Sequence, residues 1–387
     1  MSVLFRGQER RDFGSAPAIP PNSEVGGFSI RRVDLSSAEA AMQKIAVASS
    51  VNLLASIITT MSMKVYTGDG TDRRRISTPR WLDDLGMDGH GIEDWIWRGV
   101  WSWGLRGNIV GTVVERDTTT GKPRGIDMHH PDEITVSKDG SKRVWRVKGK
   151  ELPADRLFHK RIFPIPGQVL GASPIAQHAL TIGTGLAGEQ YAAQFYVDGG
   201  HPTAIFQNKS QTIDPDKRDV LKRRFRAAMR GNREPIVLGS DWDYKAIQVS
   251  PSDAVYLSVA KFTAAECARI YGPGMPEILG YETGGSMTYA NIEQRSLDLL
   301  TFTADPWIRR VERMLSWLLP APQFVEFDRK SLVRTDLLTR FRAHEIALRN
   351  EFEVVDEVRA VENMPPLPWG QERPTAKTPP PTPVQMG

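Results

Sequence analysis

Nineteen consecutive residues, Ile45 to Met63, carry no charge. Such a run has to be hidden, in lipid or in protein, because ~20 apolar residues are enough to span a bilayer. Its composition decides between the two. Seven positions are Ser, Thr or Asn (Ser49, Ser50, Asn52, Ser56, Thr59, Thr60, Ser62), and a spanning helix is more apolar than that. The reading is a helix buried in protein, with no membrane partner. Ser36 or Ser37 supplies its N-cap, and the Ala-rich stretch that follows favours propagation.

A chain of 387 residues, 40% hydrophobic and 25% charged, has the composition of a globular protein of about two to three folding units. The single Cys267 forms no disulfide within the chain, which points to a reducing compartment. The start, MSVLFRGQERRDFG, lacks the apolar segment of a secretory signal. The net charge is only +4, but the span from Lys217 to Arg233 holds eight basic residues and one acid, Asp219. The positive charge is therefore concentrated on one element.

Along the chain, residues 1–35 show no periodicity and read as a flexible arm. After the uncharged helix, MKVYTGDG reads as a strand into a turn. GIEDWIWRGVWSWGLR reads as a helix whose four tryptophans (Trp95, Trp97, Trp101, Trp103) pack a core. Residues 110–165 read as an antiparallel meander, with TTGK and KDGS as hairpin turns. A helix is expected from Ser173 or Pro174 to about Val197, then a short strand, TAIFQ. TIDPDKRDVLKRRFRAAMRGN has Asp214 as N-cap and Gly231 as its stop, with Arg218, Lys222, Arg226 and Arg230 at i+4 steps. EPIVLGSDWDYKAIQVS reads as a small hairpin. A further helix runs to Gly272-Pro273. LGYETGGSMTYANIEQ then places Gly284 and Gly285 in a soft, nearly uncharged loop, longer than the roughly 2–8 residues that usually join helices. Pro306 is expected to kink or split the long helix beyond it. The strand QFVEFD, two more helices and a disordered Pro-rich tail end the chain.

Enzyme chemistry is not legible here. GTGLAG (Gly183–Gly188) matches the dinucleotide fingerprint in letters but sits inside a helical pattern, so Gly183, Gly185 and Gly188 read as close-packing positions. There is no phosphate-binding GxxxxGK[ST], no HExxH and no CxxC. His129 and His130 are neighbours on a strand, face opposite ways and read as a surface pair. Cys267, between alanines, reads as a small buried hydrophobe. The carboxylates are scattered. No catalytic residue, metal site or cofactor is expected.

Five ordered blocks resemble one family. They are VNLLASIITTMSMKVY; SPIAQHALTIGTGLAGEQYAAQFYVDGGHPTAIF; LSVAKFTAAECARIYGPGMPEILG; TYANIEQRSLDLLTFTADPWIRRVERML; and VRTDLLTRFRAHEIALRNEFEVVDEVRAVENMPPLP. Together, over about residues 36–368, they resemble the portal (head–tail connector) proteins of long-tailed bacteriophages. The departures are YGPGMPEILG, where the family usually carries a Val-Pro-Pro-like run, and the N-terminal arm, which matches no block.

The resemblance implies an α+β fold and a ring, usually of twelve copies, at one capsid vertex in the virion, assembled in the host cytoplasm. It implies an α/β wing at 36–211, stem helices at 212–232 and 251–272, and a small β clip at 233–250. A tunnel loop at 273–288, a kinked wing helix and strand at 289–328 and a helical crown at 329–365 follow, before the tail at 366–387. Double-stranded DNA passes through the ring. The large terminase subunit, the head–tail adaptor, and the major capsid and scaffold proteins are the implied partners. The tunnel loop would face DNA with Thr283, Gly284, Gly285, Ser286, Met287, Thr288 and Tyr289. In the clip, Trp242, Asp243, Tyr244 and Lys245 would meet the motor or adaptor. The basic stem residues Lys217, Arg218, Lys222, Arg223, Arg226, Arg230 and Arg233 admit three readings: DNA phosphates, acidic groups of a neighbouring subunit or the shell rim, or a solvated face. The alternative for the whole chain is a nucleic-acid-binding protein that forms no ring and uses the basic helix 217–233.

Overall fold

The uncharged run folds as a buried helix. The computed structural model describes residues 10–12, 37–69, 72–139, 142–197, 204–208, 242–246, 253–282, 289–329, 337–362 and 364–371. In it, α1 (Ala38–Met42) is capped by Ser37, whose hydroxyl accepts from the Ala40 amide at 3.1 Å. Helix α2 (Ile45–Thr60) buries Val47, Val51, Leu54, Ala55 and Ile58 completely. Its polar positions are absorbed locally: Ser50 Oγ donates to the Ala46 carbonyl at 2.7 Å, and Thr59 Oγ1 to Ala55 at 2.9 Å. Among the described residues no helix is long and apolar enough to cross a membrane. The one continuous helix expected here is broken at Lys44, whose backbone is extended. Lys44 is 3% exposed and meets Glu189 at 2.5 Å, so an inward-turned charge interrupts the helix.

After β2 (Met63–Thr67) and β3 (Arg74–Ile76) comes α3 (Gly91–Arg106). Trp95, Gly99 and Trp103 recur at i+4 and share one face. That face lies on the sheet β5–β4–β9, formed by Pro123–Met128, Asn108–Arg116 and Leu157–Arg161. Each buried indole N–H finds an acceptor there: Trp95 on the Ile126 carbonyl at 3.1 Å, Trp103 on Lys160 at 3.0 Å. Gly99 leaves room for Ile109, which a Cβ would meet at 3.0 Å. Gly104 does the same for Val51 of α2, at 3.0 Å. Trp97 and Trp101 are only half-buried. Gly107 closes α3 in the left-handed region (φ 72°), and a Cβ there would lie 2.0 Å from the Ala172 carbonyl.

The expected meander is a different arrangement of antiparallel strands. Strand β9 returns to pair with β4, so β4 is central between β5 and β9. Strands β6 (Ile134–Asp139), β7 (Lys142–Val147) and β8 (Lys150–Leu152) form a separate sheet. Its outer strand is β1 (Arg10–Asp12), inside the arm expected to be without structure; Arg10 pairs with Ser137 and Asp12 with Thr135. Strands β6 and β7, on either side of Gly140 and Ser141, pair antiparallel, with Asp139 opposite Lys142.

Arg106, its side chain fully buried, ties these layers together. Its Nε donates to Asp132 Oδ1 at 2.6 Å, while Asp132 Oδ2 accepts from the Ala38 amide at 2.6 Å. One carboxylate therefore joins the last turn of α3 to the first turn of α1, where a negative charge also meets the helix dipole favourably.

Ser173 caps α4 (Pro174–Gln177), and after a break at His178 comes α5 (Ala179–Val197). The GTGLAG letters lie wholly within α5. Gly185 is a packing position: a Cβ would meet Lys44 at 2.8 Å and Thr263 of α6 (Asp253–Arg269) at 2.9 Å. Gly188 has open space around it. Cys267 is buried on α6, and burial raises its thiol to about 11, as suits an inert core position.

Pro306 splits the long helix by widening it. Tyr289–Asp298 (α8) passes into a π-helical segment, Leu299–Ala304, and then into Asp305–Ser316 (α9) with Pro306 in the first turn. The Asp305 amide reaches back to Leu300, five residues away, because the proline brings no N–H to the ladder. The strand β12 (Phe324–Phe327) then pairs antiparallel with β2, Val325 opposite Val65.

Residues 1–327 form one compact unit and 328–387 a second. In the second, α10 (Leu337–Arg349) and α11 (Val355–Val361) are bridged by Arg340 Nη2, which donates to Glu362 at 3.0 Å. Residues 366–371, inside the tail expected to be disordered, are ordered. Asp356, 7% exposed, accepts from the Leu367 amide at 2.8 Å, and its own amide donates to the Gly370 carbonyl at 2.9 Å. Only glycine fits at 370, since a Cβ would lie 1.8 Å from the Asp356 carboxylate.

Candidate functional site

The tunnel-loop residues Thr283, Gly284, Gly285, Ser286, Met287 and Thr288 lie outside the described residues, but both of their anchors are described. On the C-terminal side Tyr289 opens α8. On the N-terminal side, the stretch after Gly272 expected to be all loop contains a short helix, α7 (Met275–Ile278). Pro276 occupies its first turn and Gly274 precedes it in the left-handed region (φ 83°). Tyr281 and Glu282 are also held, both amides donating to the Pro276 carbonyl at 2.8 and 3.3 Å. The span between anchors is thus the six residues 283–288, shorter than the loop expected at 273–288.

The N-terminal anchor is fixed to the π-helical segment. Gly272 (φ 137°) sits against Thr303, whose side chain a Cβ would meet at 2.6 Å. The Thr303 hydroxyl donates to the Pro273 carbonyl. Leu299 packs beside Gly274, at 3.5 Å from a built Cβ. Arg269, at the end of α6, bridges Glu266 on its own helix and Glu282 at the loop's edge. These bonds to two carboxylates raise its already high pKa, with the hydrogen bond to Glu266 the largest cause. The widened turn before Pro306 therefore has a use: it presents Thr303 to the chain that enters the loop.

The basic residues Lys217, Arg218, Lys222, Arg223, Arg226, Arg230 and Arg233 all lie outside the described residues. The chain around them is anchored by a two-stranded ribbon. Strand β10 (Ala204–Asn208) pairs antiparallel with β11 (Trp242–Ala246), with Asn208 opposite Trp242, Gln207 opposite Asp243, Phe206 opposite Tyr244 and Ile205 opposite Lys245. This differs from the expected assignment. The described partner of the clip residues is the strand read as the end of the wing.

His129 and His130 do diverge, but neither is a free surface residue. His129 Nε2 lies 2.6 Å from Thr112 Oγ1, and His130 Nε2 lies 2.8 Å from Glu39 Oε1. Among the described residues, Glu39, His130 and Asp132 are a group with ligand atoms within 4.8 Å of one another, which sequence reading missed. Glu39 lies about ninety residues upstream, so no spacing signals the approach. Both Asp132 oxygens already serve Arg106 and Ala38, which leaves the group a poor metal centre.

Comparison with known proteins adds relatives to this geometry. The family model for phage portal protein matches residues 45–363. A protein of Streptomyces phage phiC31 described as a probable portal protein is 29% identical over 355 residues, covering 85% of this chain and 76% of its own. A crystal structure of an HK97-family phage portal protein from Corynebacterium diphtheriae superposes with a TM-score of 0.58 at 16% identity, covering 78% of this chain and 97% of that one. A chain from the neck of a native gene transfer agent particle, computed with C12 symmetry, superposes with a TM-score of 0.54 at 20% identity, covering 85% and 94%.

Proposed function

The chain belongs to the phage portal protein family, and we propose that its copies close into a ring, of twelve, through which double-stranded DNA enters and leaves the capsid. The observation that carries this reading is the root of the loop. A span of six residues, with no charge in Thr283–Thr288, hangs between a π-helical clamp and the start of α8. Six residues have a contour of roughly 20 Å, so a folded-back tip extends about 10 Å from its anchors. A tip without charge touches a sliding duplex without the phosphate contacts that make binding tight and salt-sensitive. In this reading residues 36–211 form the wing, 212–232 and 251–272 the stem, 233–250 the clip, and 329–365 the crown. The clip residues Trp242–Lys245 meet the terminase motor and the head–tail adaptor. The basic stem faces DNA or a neighbouring subunit, and the wing and crown meet the capsid and scaffold proteins. The role is structural rather than catalytic.

Native mass measurement tests the ring. A chain of 43.2 kDa should give a species near 520 kDa for about twelve copies, with a central hole in electron micrographs. Monomer at every salt and concentration, together with duplex binding abolished by Gln at Lys222, Arg223 and Arg226, would support the non-ring alternative instead. Deleting Thr283–Met287 should leave the ring intact and impair DNA packaging or retention; an undiminished DNA yield refutes the role given to the loop.

A further inference from the structure

An open cleft of about 700 Å³ lies between β7, β9 and the loop that follows β9. Arg143, His159, Lys160, Arg161 and Val169 line it, with Gly167 and Gln168, and no acidic residue is among them. Arg143 is exposed, and among the described residues no carboxylate pairs with it. Its Cα partner across the β6–β7 ladder is Lys138, and like charges opposite each other destabilise a strand pair. Lys160 Nζ stands 3.9 Å over the Trp317 ring, and Lys122 Nζ stands 5.1 Å over the same ring. Arg161 donates to the carbonyls of Gln168 and Val169, which fixes the cleft's rim. Burial, and then Lys122, lower the Lys160 pKa. Burial, then Arg161 and Lys160, hold His159 down at about 4. Arg143, Lys160 and Arg161 line one cleft with no counter-charge among its lining residues, which makes a site short of an anion.

We infer that this cleft receives an acidic peptide segment of a partner protein, with its carboxylates on Arg143 and Lys160. The volume lies within the range of about 300–1,000 Å³ typical of ligand sites. Val169 and the Lys160 stem give apolar walls for the methylenes of glutamate. A duplex prefers a row of cations along an extended face, whereas Arg143, Lys160 and Arg161 converge on one hollow. The planar fork of Arg143 suits bidentate carboxylate pairing.

The test is anisotropy of a fluorescein-labelled octapeptide of alternating Glu and Ala on the intact assembly. Wild-type protein should bind it, and Arg143→Gln should weaken binding at least tenfold. Lys160→Gln should do likewise, but it also removes a Trp317 contact, so the exposed Arg143 is the cleaner site. A 20-base-pair duplex should bind both variants and wild type equally. The inference is overturned by no peptide binding, by peptide affinity in both variants unchanged from wild type, by a duplex that loses affinity with Arg143→Gln while the peptide does not, or by inorganic phosphate binding where the peptide fails.

Discussion

Asp132→Ala should destabilise the larger unit by about 3 kcal/mol. The carboxylate serves a fully buried guanidinium, Arg106, and the Ala38 amide at the start of α1. Removing one partner of a buried ion pair costs about 3–5 kcal/mol, because the remaining charge stays out of water. Losing a helix-start acceptor adds about 1 kcal/mol. Two facts pull the total down: Asp132 is 20% exposed, and Arg106 has a further interaction. For a unit spanning residues 1–327, with an unfolding entropy of about 2.1 cal/mol/K per residue, about 3 kcal/mol corresponds to a melting shift of roughly 4–5 °C. Tryptophan fluorescence during thermal or urea unfolding reads it, since the Trp101 ring lies 5.5 Å from His130, two residues before Asp132. The control is Arg106→Met combined with Asp132→Ala. If an uncompensated buried charge is the cause, the double variant is more stable than the single one. A single variant within ~0.5 kcal/mol of wild type, or a double variant worse than the single, refutes the reasoning.

Other consequences follow from the same kind of argument. Gly185→Val should loosen the α2–α5–α6 packing and lower the melting temperature, because its side chain would overlap Lys44 and Thr263. Thr303→Val removes the donor to Pro273 at little change in volume. It should raise protease sensitivity near residue 283 while leaving global stability within about 1 kcal/mol. Stability should fall with acidity because of His159. Its folded pKa of about 4 is below the ordinary 6.5, so the unfolded chain takes up the proton first. The contribution is complete above about pH 6.5 and is lost towards pH 4, a drop of about 3 kcal/mol. His159→Phe should flatten that limb of a stability-versus-pH curve.

Local physics in the sequence determined much of this fold. An uncharged run had to be buried, a helix had to start at Ser173 or Pro174, and Pro306 had to disturb one. Each of these follows from residues within a few positions of one another. Contacts between distant segments were not legible. No spacing rule leads from Val65 to Val325, from β9 to β4 rather than to β8, or from Glu39 to His130. Short elements were hidden as well. In GPGMPEILG the flanking Gly and Pro mask a helix of four residues, which holds because Thr303 and Pro276 receive its ends. Arg10–Asp12 carries no strand pattern of its own and takes its conformation from the edge of β6. For the candidate site, the loop's glycines and lack of charge were visible, whereas the clamp beneath it was not.

The β10–β11 ribbon has an evolutionary corollary. Asn208 and Trp242 sit face to face, so the chain comes back to the place it departed from. Residues could be inserted, removed or exchanged between those two points, and the scaffold on the near side would register no strain. Variation in length or composition between those two points is thereby uncoupled from the pairing of the ribbon itself, as one changes the bit and keeps the drill.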